Sequence, residues 1–136
     1  MRVLQIDDSE AFSHLYKSLF MVKGCQFEST TDGKEGLELV RKNNYDAILL
    51  DILMPKYGGI QFLEDLKNTR PSELKKITII SMMDFRDDEL KNLKELGIRS
   101  IQKKSISLIK NLVDSLCNSE HSDQKMEQSL KQQKIN

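Results

Sequence analysis

The sequence predicts an α/β protein in which helices cover both faces of a five-stranded parallel sheet, a three-layer, doubly wound arrangement. Short apolar segments alternate with amphipathic segments five times along the 136 residues. Such alternation indicates repeated strand–helix units, and right-handed crossovers place the helices of these units on both faces of a parallel sheet. A chain of 15.7 kDa has room for one domain of this kind and none for a second.

The first third of the chain predicts two strands and the helix between them. Residues 2–6 are a short apolar run that stops at Asp7, which is typical of a buried central strand. Ser9 can cap the helix that follows, and apolar residues recur there at three- and four-residue intervals until Gly24. Residues 25–30 alternate apolar and polar side chains, as expected of a strand nearer the sheet edge.

The middle of the chain predicts a strand that ends on an acid. A turn at residues 31–33 precedes a second amphipathic helix, and residues 47–50 then form the most apolar short strand, which terminates on Asp51. Pro55 and the Gly58-Gly59 pair turn the chain sharply after it. The remaining predicted elements are a helix over 60–66, a strand over 77–80 that ends at Ser81, a helix over 85–96, a strand over 98–102 and a helix over 106–116.

Composition argues against several functions. Lysine plus arginine (21) equals aspartate plus glutamate (21), so no net field favours nucleic acid or an anionic membrane. The N-terminus lacks a signal sequence and no apolar run is long enough to span a bilayer, so we expect a cytoplasmic protein. Cys25 and Cys117 lie far apart without metal-ligand spacing; we expect packed small hydrophobes, although a single disulfide is geometrically possible.

The last residues have a different composition from the rest. Residues 118–136 are rich in glutamine, serine and lysine, with few sizeable apolar groups. Such composition predicts a solvated, flexible tail, which leaves residues 1–117 as the folded domain.

Chemically useful side chains follow the predicted strands. In doubly wound sheets functional groups gather at the carboxyl ends of the strands, which here carry Asp7, Asp8, Asp51 and Ser81, followed by Lys103-Lys104. Each of these alone is better explained as a helix cap or a solvated charge. Together, three converging carboxylates predict a site for a hard divalent cation, with Mg²⁺ the natural candidate and Asp51 the plausible nucleophile for phosphoryl transfer.

A familiar set of motifs emerges from these residues. The segment 3–9 (VLQIDDS), the segment 51–55 (DILMP) followed by Gly58-Gly59, Ser81 after the fourth strand and Lys104 after the fifth resemble the receiver domains of two-component response regulators. The resemblance covers residues 1 to about 117. It implies a flavodoxin-like fold with the strand order 2-1-3-4-5.

The resemblance also implies a role for each site residue. Asp51 would be phosphorylated, and Asp7 or Asp8 would hold Mg²⁺ with Asp51, with Asp8 favoured as the more direct ligand. The carbonyl group of Leu53 would complete the protein's share of the ligands.

By the same resemblance, Ser81 and Lys104 would contact the phosphoryl oxygens. Lys104 is preferred to Lys103 because counting from Gly97 through the last strand matches the family's register.

The family's partners follow as expectations. A histidine kinase or phosphotransfer protein would phosphorylate the chain in a phosphorelay, and an unknown protein target would read the face formed by the fourth helix, fifth strand and fifth helix. We expect a single-domain regulator without an output domain, which is not an enzyme beyond promoting its own phosphorylation and slow dephosphorylation. A phosphorylation-dependent homodimer is an open expectation.

Several positions depart from the family pattern. Met82 stands where a small residue is usual, Ile101 where an aromatic residue is usual, and Ser105 where proline is usual. Leu53 and Met83 are apolar at two variable positions where polar groups often orient water, which suggests slow hydrolysis of the aspartyl phosphate.

These departures motivate an alternative, a degenerate receiver that acts as a phosphorylation-independent interaction module. A flavodoxin-type cofactor binder or a phosphohydrolase is disfavoured because Ile52-Leu53 follows Asp51 where a second catalytic acid or phosphate loop would be wanted.

Overall fold

The computed structural model describes residues 1–118, which form five strands and five α-helices in strict alternation. The elements in chain order are β1 (Arg2–Ile6), α1 (Glu10–Val22), β2 (Gln26–Thr30), α2 (Gly33–Lys42), β3 (Ala47–Asp51), α3 (Gly59–Thr69), a 3-10 helix (Pro71–Lys76), β4 (Ile77–Ser81), α4 (Asp87–Glu95), β5 (Ser100–Lys103) and α5, which is helical from 106 to the last described residue, 118.

The strands form one parallel sheet with the order β2-β1-β3-β4-β5. This order confirms the predicted doubly wound, flavodoxin-like fold. All five residues of β3 and of β4 are buried, whereas the edge strands β2 and β5 are partly exposed. Interior strands of a parallel sheet are covered on both faces, which explains why β3 reads as an uninterrupted apolar run.

Two core clusters lie on opposite faces of the sheet. The first core cluster packs α2, α3 and α4 against the sheet and contains Leu4, Ile6, Leu37, Val40, Tyr45, Ile48, Leu50, Ile52, Phe62, Leu63, Leu66, Leu74, Ile77, Ile79 and Leu93. The second core cluster packs α1 and α5 and contains Val3, Tyr16, Phe20, Ala47, Leu49, Ile80, Ile109, Leu112, Val113, Leu116 and Cys117. Successive side chains of a strand point to opposite faces, so neighbouring residues of β1 and β3 divide between the clusters.

Local signals set where the first helices begin and end. Ser9 Oγ accepts a hydrogen bond from the Phe12 amide at 3.4 Å and caps α1, and Asp32 caps α2 through the Lys34 amide at 2.9 Å. Gly24, after α1, has φ +76°, a left-handed conformation that favours glycine and ends the helix.

The observed elements differ from the sequence-based expectation at several points. The 3-10 helix Pro71–Lys76 was not predicted, α4 begins at Asp87 rather than at residue 85, and β5 begins at Ser100 rather than at residue 98. Phe85 and Ile98 pack against the first core cluster from the loops. In the sequence, these two apolar residues therefore look like the first residues of the helix and of the strand that follow them. The acidic first turn of α4 suits the positive end of a helix dipole and explains its later start.

The predicted tail over 118–136 lies, apart from residue 118, outside the described residues. Within residues 1–118, none of the helices combines the length and apolarity that a membrane span requires.

Candidate functional site

The sheet places two aspartates side by side at its carboxyl edge. Ile6, the last residue of β1, pairs with Leu50 of the neighbouring β3. Asp7 directly follows Ile6 and Asp51 directly follows Leu50, so the two acids lie side by side at the carboxyl ends of β1 and β3. The Asp7 amide still donates a hydrogen bond to the Thr30 carbonyl oxygen at 3.1 Å, which ties this position to β2 as well.

Three carboxylates converge at this edge. Asp7, Asp8 and Asp51 each offer one oxygen, and these oxygens all lie within 4.8 Å of one another. Asp7 and Asp51 are 2% and 5% exposed, whereas Asp8 is exposed to solvent. The arrangement therefore combines two buried acids with a third on its open side.

Lys104 brings an ammonium group to the two buried acids. Its Nζ lies 2.9 Å from Asp7 Oδ2 and 3.4 Å from Asp51 Oδ2, and its side chain is 8% exposed. The Nζ also lies 4.7 Å from the centre of the Phe12 ring, within the range of a cation–π contact. Phe12 gave no sequence signal of this role, because its helical spacing marked it only as an inner-face residue of α1.

The neighbouring lysine is directed elsewhere. Lys103 is half-exposed; its Nζ forms an ion pair with Asp84 and donates to the Met82 carbonyl oxygen at 3.1 Å. Lys103 pairs with Ser81 in the β4–β5 register, and the Lys104 amide donates to the Ser81 carbonyl oxygen at 2.9 Å. The two lysines thus leave the strand end in different directions, and Lys104 is the one that contacts the acids.

Backbone amides orient the two buried carboxylates. The Ser9 amide donates to Asp7 Oδ1 at 2.9 Å, and the Leu53 amide donates to Asp51 Oδ1 at 3.1 Å. In both cases the donor lies two residues beyond the acid, in the loop that follows the strand. One oxygen of Asp51 is therefore held by the loop, while the other faces Lys104.

The electrostatics of the site show an excess of negative charge. Burial, reinforced by the charge of Asp7, raises the pKa of Asp51 to about 6, although the Leu53 amide and Lys104 act in the opposite direction. Burial opposes the charge of Lys104, but its contacts with Asp7 and Asp51 outweigh burial and raise the lysine pKa. One ammonium therefore does not balance the clustered carboxylates.

Ser81 ends β4 at the same edge of the sheet and is buried. Its Oγ accepts a hydrogen bond from the Met83 amide at 3.0 Å. In the register between β3 and β4, Asp51 pairs with Ile80, so Ser81 lies one position beyond the partner of Asp51. The structure therefore brings every residue of the expected site to one edge, with Leu53 in the loop after Asp51.

The positions that depart from the family pattern have distinct surroundings. Met82 is 65% exposed, directly after Ser81. Met83 and Ile101 pack against the first core cluster. Ser105 accepts hydrogen bonds from the amides of residues 108 and 109 through its carbonyl oxygen, so it begins α5 without the proline that is usual there.

Comparison with known proteins decides the family. The family model for the response regulator receiver domain matches residues 3–116. The chain belongs to the response-regulator receiver family. This confirms the resemblance drawn from the motifs. Receiver domains are signalling switches of two-component systems rather than true enzymes, histidine kinases or phosphotransfer proteins phosphorylate them, and they bind Mg²⁺ in an acidic pocket.

Individual relatives of this receiver domain agree with the family. The receiver domain of Francisella response regulator 1452 is 30% identical, with a TM-score of 0.69, and the match covers 88% of this chain and 98% of that one. Response regulator MprA of Mycobacterium leprae is 33% identical over 69 residues, which are 51% of this chain and 30% of MprA. The transcriptional regulatory protein DltR of Streptococcus agalactiae is 33% identical over 67 residues, 49% of this chain and 30% of DltR. The matched segment is thus under a third of these two regulators.

Proposed function

We propose that this receiver domain accepts a phosphoryl group on Asp51 from a histidine kinase or phosphotransfer protein, in a Mg²⁺-dependent reaction, and thereby acts as a binding switch. The observation that carries the proposal is the convergence of three carboxylates and the buried ammonium of Lys104 at one edge of the sheet. A domain without phosphoryl chemistry would have no physical need to gather these charges, since buried like charges destabilise the folded chain.

Asp51 is the proposed nucleophile because of its position among these groups. The Leu53 amide holds Oδ1, which fixes the orientation of the carboxylate without occupying both oxygens. Attack of a carboxylate oxygen on phosphorus would form an acyl phosphate as the bond from phosphorus to the donor imidazole breaks.

The donor set fits Mg²⁺. Carboxylate and carbonyl oxygens are the ligands that this hard cation prefers, and the raised pKa of Asp51 shows negative charge that a cation would offset. Asp8, Asp7 and Asp51 would hold the ion together with the Leu53 carbonyl group. When bound, Mg²⁺ would neutralise charge on these carboxylates and on the phosphoryl oxygens.

Lys104 and Ser81 would receive the phosphoryl oxygens. The Lys104 ammonium already lies between Asp7 and Asp51, so it can follow charge that moves outward from Asp51 onto phosphate. The Ser81 hydroxyl accepts from the Met83 amide, which leaves its own hydrogen available for donation to a phosphoryl oxygen.

A protein target would read the change on the face formed by α4, β5 and α5. The phosphoryl group on Asp51 would attract the side chains of Ser81 and Lys104. Ser81 lies directly before the loop that leads to α4, and Lys104 lies just before the start of α5. Phosphorylation-dependent dimerisation through this face is a further part of the proposal, and size-exclusion chromatography of both forms would test it.

Acetyl phosphate labelling tests the acceptor chemistry. We expect the intact mass to gain one phosphoryl group when Mg²⁺ is present and none when EDTA replaces it. Asp51→Asn should abolish the gain, while Asp88→Asn, which changes an exposed aspartate in the first turn of α4, should not. No adduct on the wild-type chain would contradict the proposal and favour the alternative, a phosphorylation-independent interaction module.

The lifetime of the phosphorylated form tests the apolar surroundings. Leu53 is half-exposed and Met83 is packed against the core, and neither side chain can hydrogen-bond a water molecule for in-line attack on phosphorus. We expect slow hydrolysis of the aspartyl phosphate, which can be measured as the decay of the phosphorylated mass after acetyl phosphate is removed. Decay within seconds at neutral pH would count against this expectation.

A further inference from the structure

The fold brings together the chain's two cysteines, although they lie 92 positions apart. The Sγ atoms of Cys25 and Cys117 are 3.3 Å apart. Their sequence separation favoured two unrelated packed hydrophobes, and only the tertiary structure shows that they are neighbours. The distance exceeds a disulfide bond of about 2.05 Å by about 1.2 Å, a gap that small rotations of the two side chains can close.

The pair joins two elements that no backbone hydrogen-bond ladder connects. Cys25 lies between α1 and β2 and is partly exposed, whereas Cys117 lies in α5 and is 3% exposed. Both side chains contribute to the second core cluster. An ion pair of 3.2 Å between Lys23 and Asp114 spans the same two elements, so α5 is already held close to this corner.

We propose that Cys25 and Cys117 are a modification site, at which a peroxide oxidises the two thiols to a reversible intramolecular disulfide that fastens α5 to the α1–β2 corner. The site is separate from the acidic cluster and does not depend on phosphoryl transfer. In a reducing compartment such a bond forms on oxidative challenge and is reversed by thiols, which is the usual behaviour of disulfides there.

The difference in exposure assigns the two steps. The Cys25 thiolate, which solvent can reach, attacks the peroxide; the O–O bond breaks, and a sulfenic acid and water are formed after proton transfer. The Cys117 sulfur then attacks the sulfenic sulfur, the S–S bond forms and a second water leaves. The two sulfurs supply the two electrons that reduce one hydrogen peroxide to two waters.

The disulfide would close a long loop and restrain the unfolded chain. Because the bond would span 92 positions, its effect on the unfolded ensemble is near the upper end of the range for disulfides. We expect the oxidised chain to melt on the order of 10 °C higher than the reduced chain. Dithiothreitol should reverse the difference.

Oxidation of the whole chain with hydrogen peroxide tests the proposal. Intact mass should fall by two hydrogen atoms, and a non-reducing peptide map should contain one linked pair of peptides, those that carry Cys25 and Cys117. Both signals should disappear after dithiothreitol. A mass increase from oxygen atoms without the linked pair, or a disulfide-linked dimer as the main product, would overturn the proposal.

Single variants separate the two steps, and thermal melting of each reduced variant establishes that it is folded. In Cys117→Ala, the sulfenic acid of Cys25 should persist and be trapped by dimedone. In Cys25→Ala, the buried Cys117 should resist the same peroxide treatment. Equal dimedone labelling of the two variants, or a peroxide-induced rise of the melting temperature in either, would refute the assigned order and the bond.

Discussion

Replacement of Asp51 by asparagine should stabilise the chain in the absence of divalent cations, although it removes the proposed phosphoacceptor. Asparagine has nearly the same shape and can still accept the Leu53 amide through its side-chain oxygen. Lys104 keeps its 2.9 Å contact with Asp7, so the substitution leaves no buried ammonium without a partner. What is lost is a buried negative charge beside Asp7.

The size of the effect follows from the pKa of Asp51. Burial and the charge of Asp7 raise this pKa from 3.8 to about 6. A tenfold change in an acid dissociation constant is worth about 1.4 kcal/mol, so the ionised carboxylate destabilises the folded state by roughly 3 kcal/mol at pH 7. A raised folded-state pKa contributes stability below pH 3.8 that is lost as the pH rises through about 6.

Urea unfolding of wild type and Asp51→Asn in EDTA, at several pH values between 4 and 8, measures this difference. We expect the variant to be about 3 kcal/mol more stable at pH 7, with the advantage shrinking towards pH 4 as Asp51 is protonated in the wild type. Added Mg²⁺ should stabilise the wild type more than the variant. An advantage that does not change with pH, or a variant less stable than wild type at pH 7, would refute this account of the site.

Three further predictions concern other parts of the domain. Gly59→Ala should lower the free energy of unfolding by about 2 kcal/mol, since the new Cβ would lie 2.7 Å from the Asp51 carbonyl oxygen and from Ile52 Cα. Gly58→Ala, whose Cβ would meet nothing closer than 3.7 Å, should lower it by under about 1 kcal/mol in the same urea titration. Lys104→Met should lower the free energy of unfolding by roughly 3 kcal/mol in EDTA at pH 7, because it leaves Asp7 without its ammonium partner. The control Lys103→Met should change this free energy by no more than about 0.5 kcal/mol. Equal losses in the two variants would contradict the assigned contacts. Burial raises the pKa of all three tyrosines, that of Tyr45 to about 12. Tyrosinate absorbance at pH 10 should therefore be weak in the folded chain and stronger in urea. The free energy of unfolding should fall as the pH rises from about 10 towards 12. Equal tyrosinate absorbance at pH 10 in the folded chain and in the urea-unfolded chain would exclude this burial effect.

The order of elements was predictable because it depends on local patterns. The apolar run that ends on Asp51 is buried on both faces of the sheet, and its short, uninterrupted apolar character, which stops at a polar residue, indicates a buried strand. The positions of Phe85 and Ile98 were not predictable in the same way. Both pack against the core from loops, and periodicity cannot separate a buried loop residue from the end of a helix or strand.

The acidic cluster was likewise visible in the sequence, because parallel strands that end on acids bring those acids to one edge. Which lysine meets them was not visible from the residues themselves. Lys103 and Lys104 are adjacent, and the register of β5 against β4 decides which of them turns towards Asp7. Only the family resemblance favoured Lys104 in advance.

The sequence by itself therefore determined the alternation of strands and helices and the placement of acids, hydroxyl and lysine at successive strand ends, since these follow from local periodicity and chain order. Tertiary structure alone decided the contact of Lys104 with Phe12 and the approach of Cys25 to Cys117. The physical reason is that such contacts depend on how α1 and α5 pack on the same face of the sheet. Packing is set by the whole core, and no short stretch of sequence encodes it.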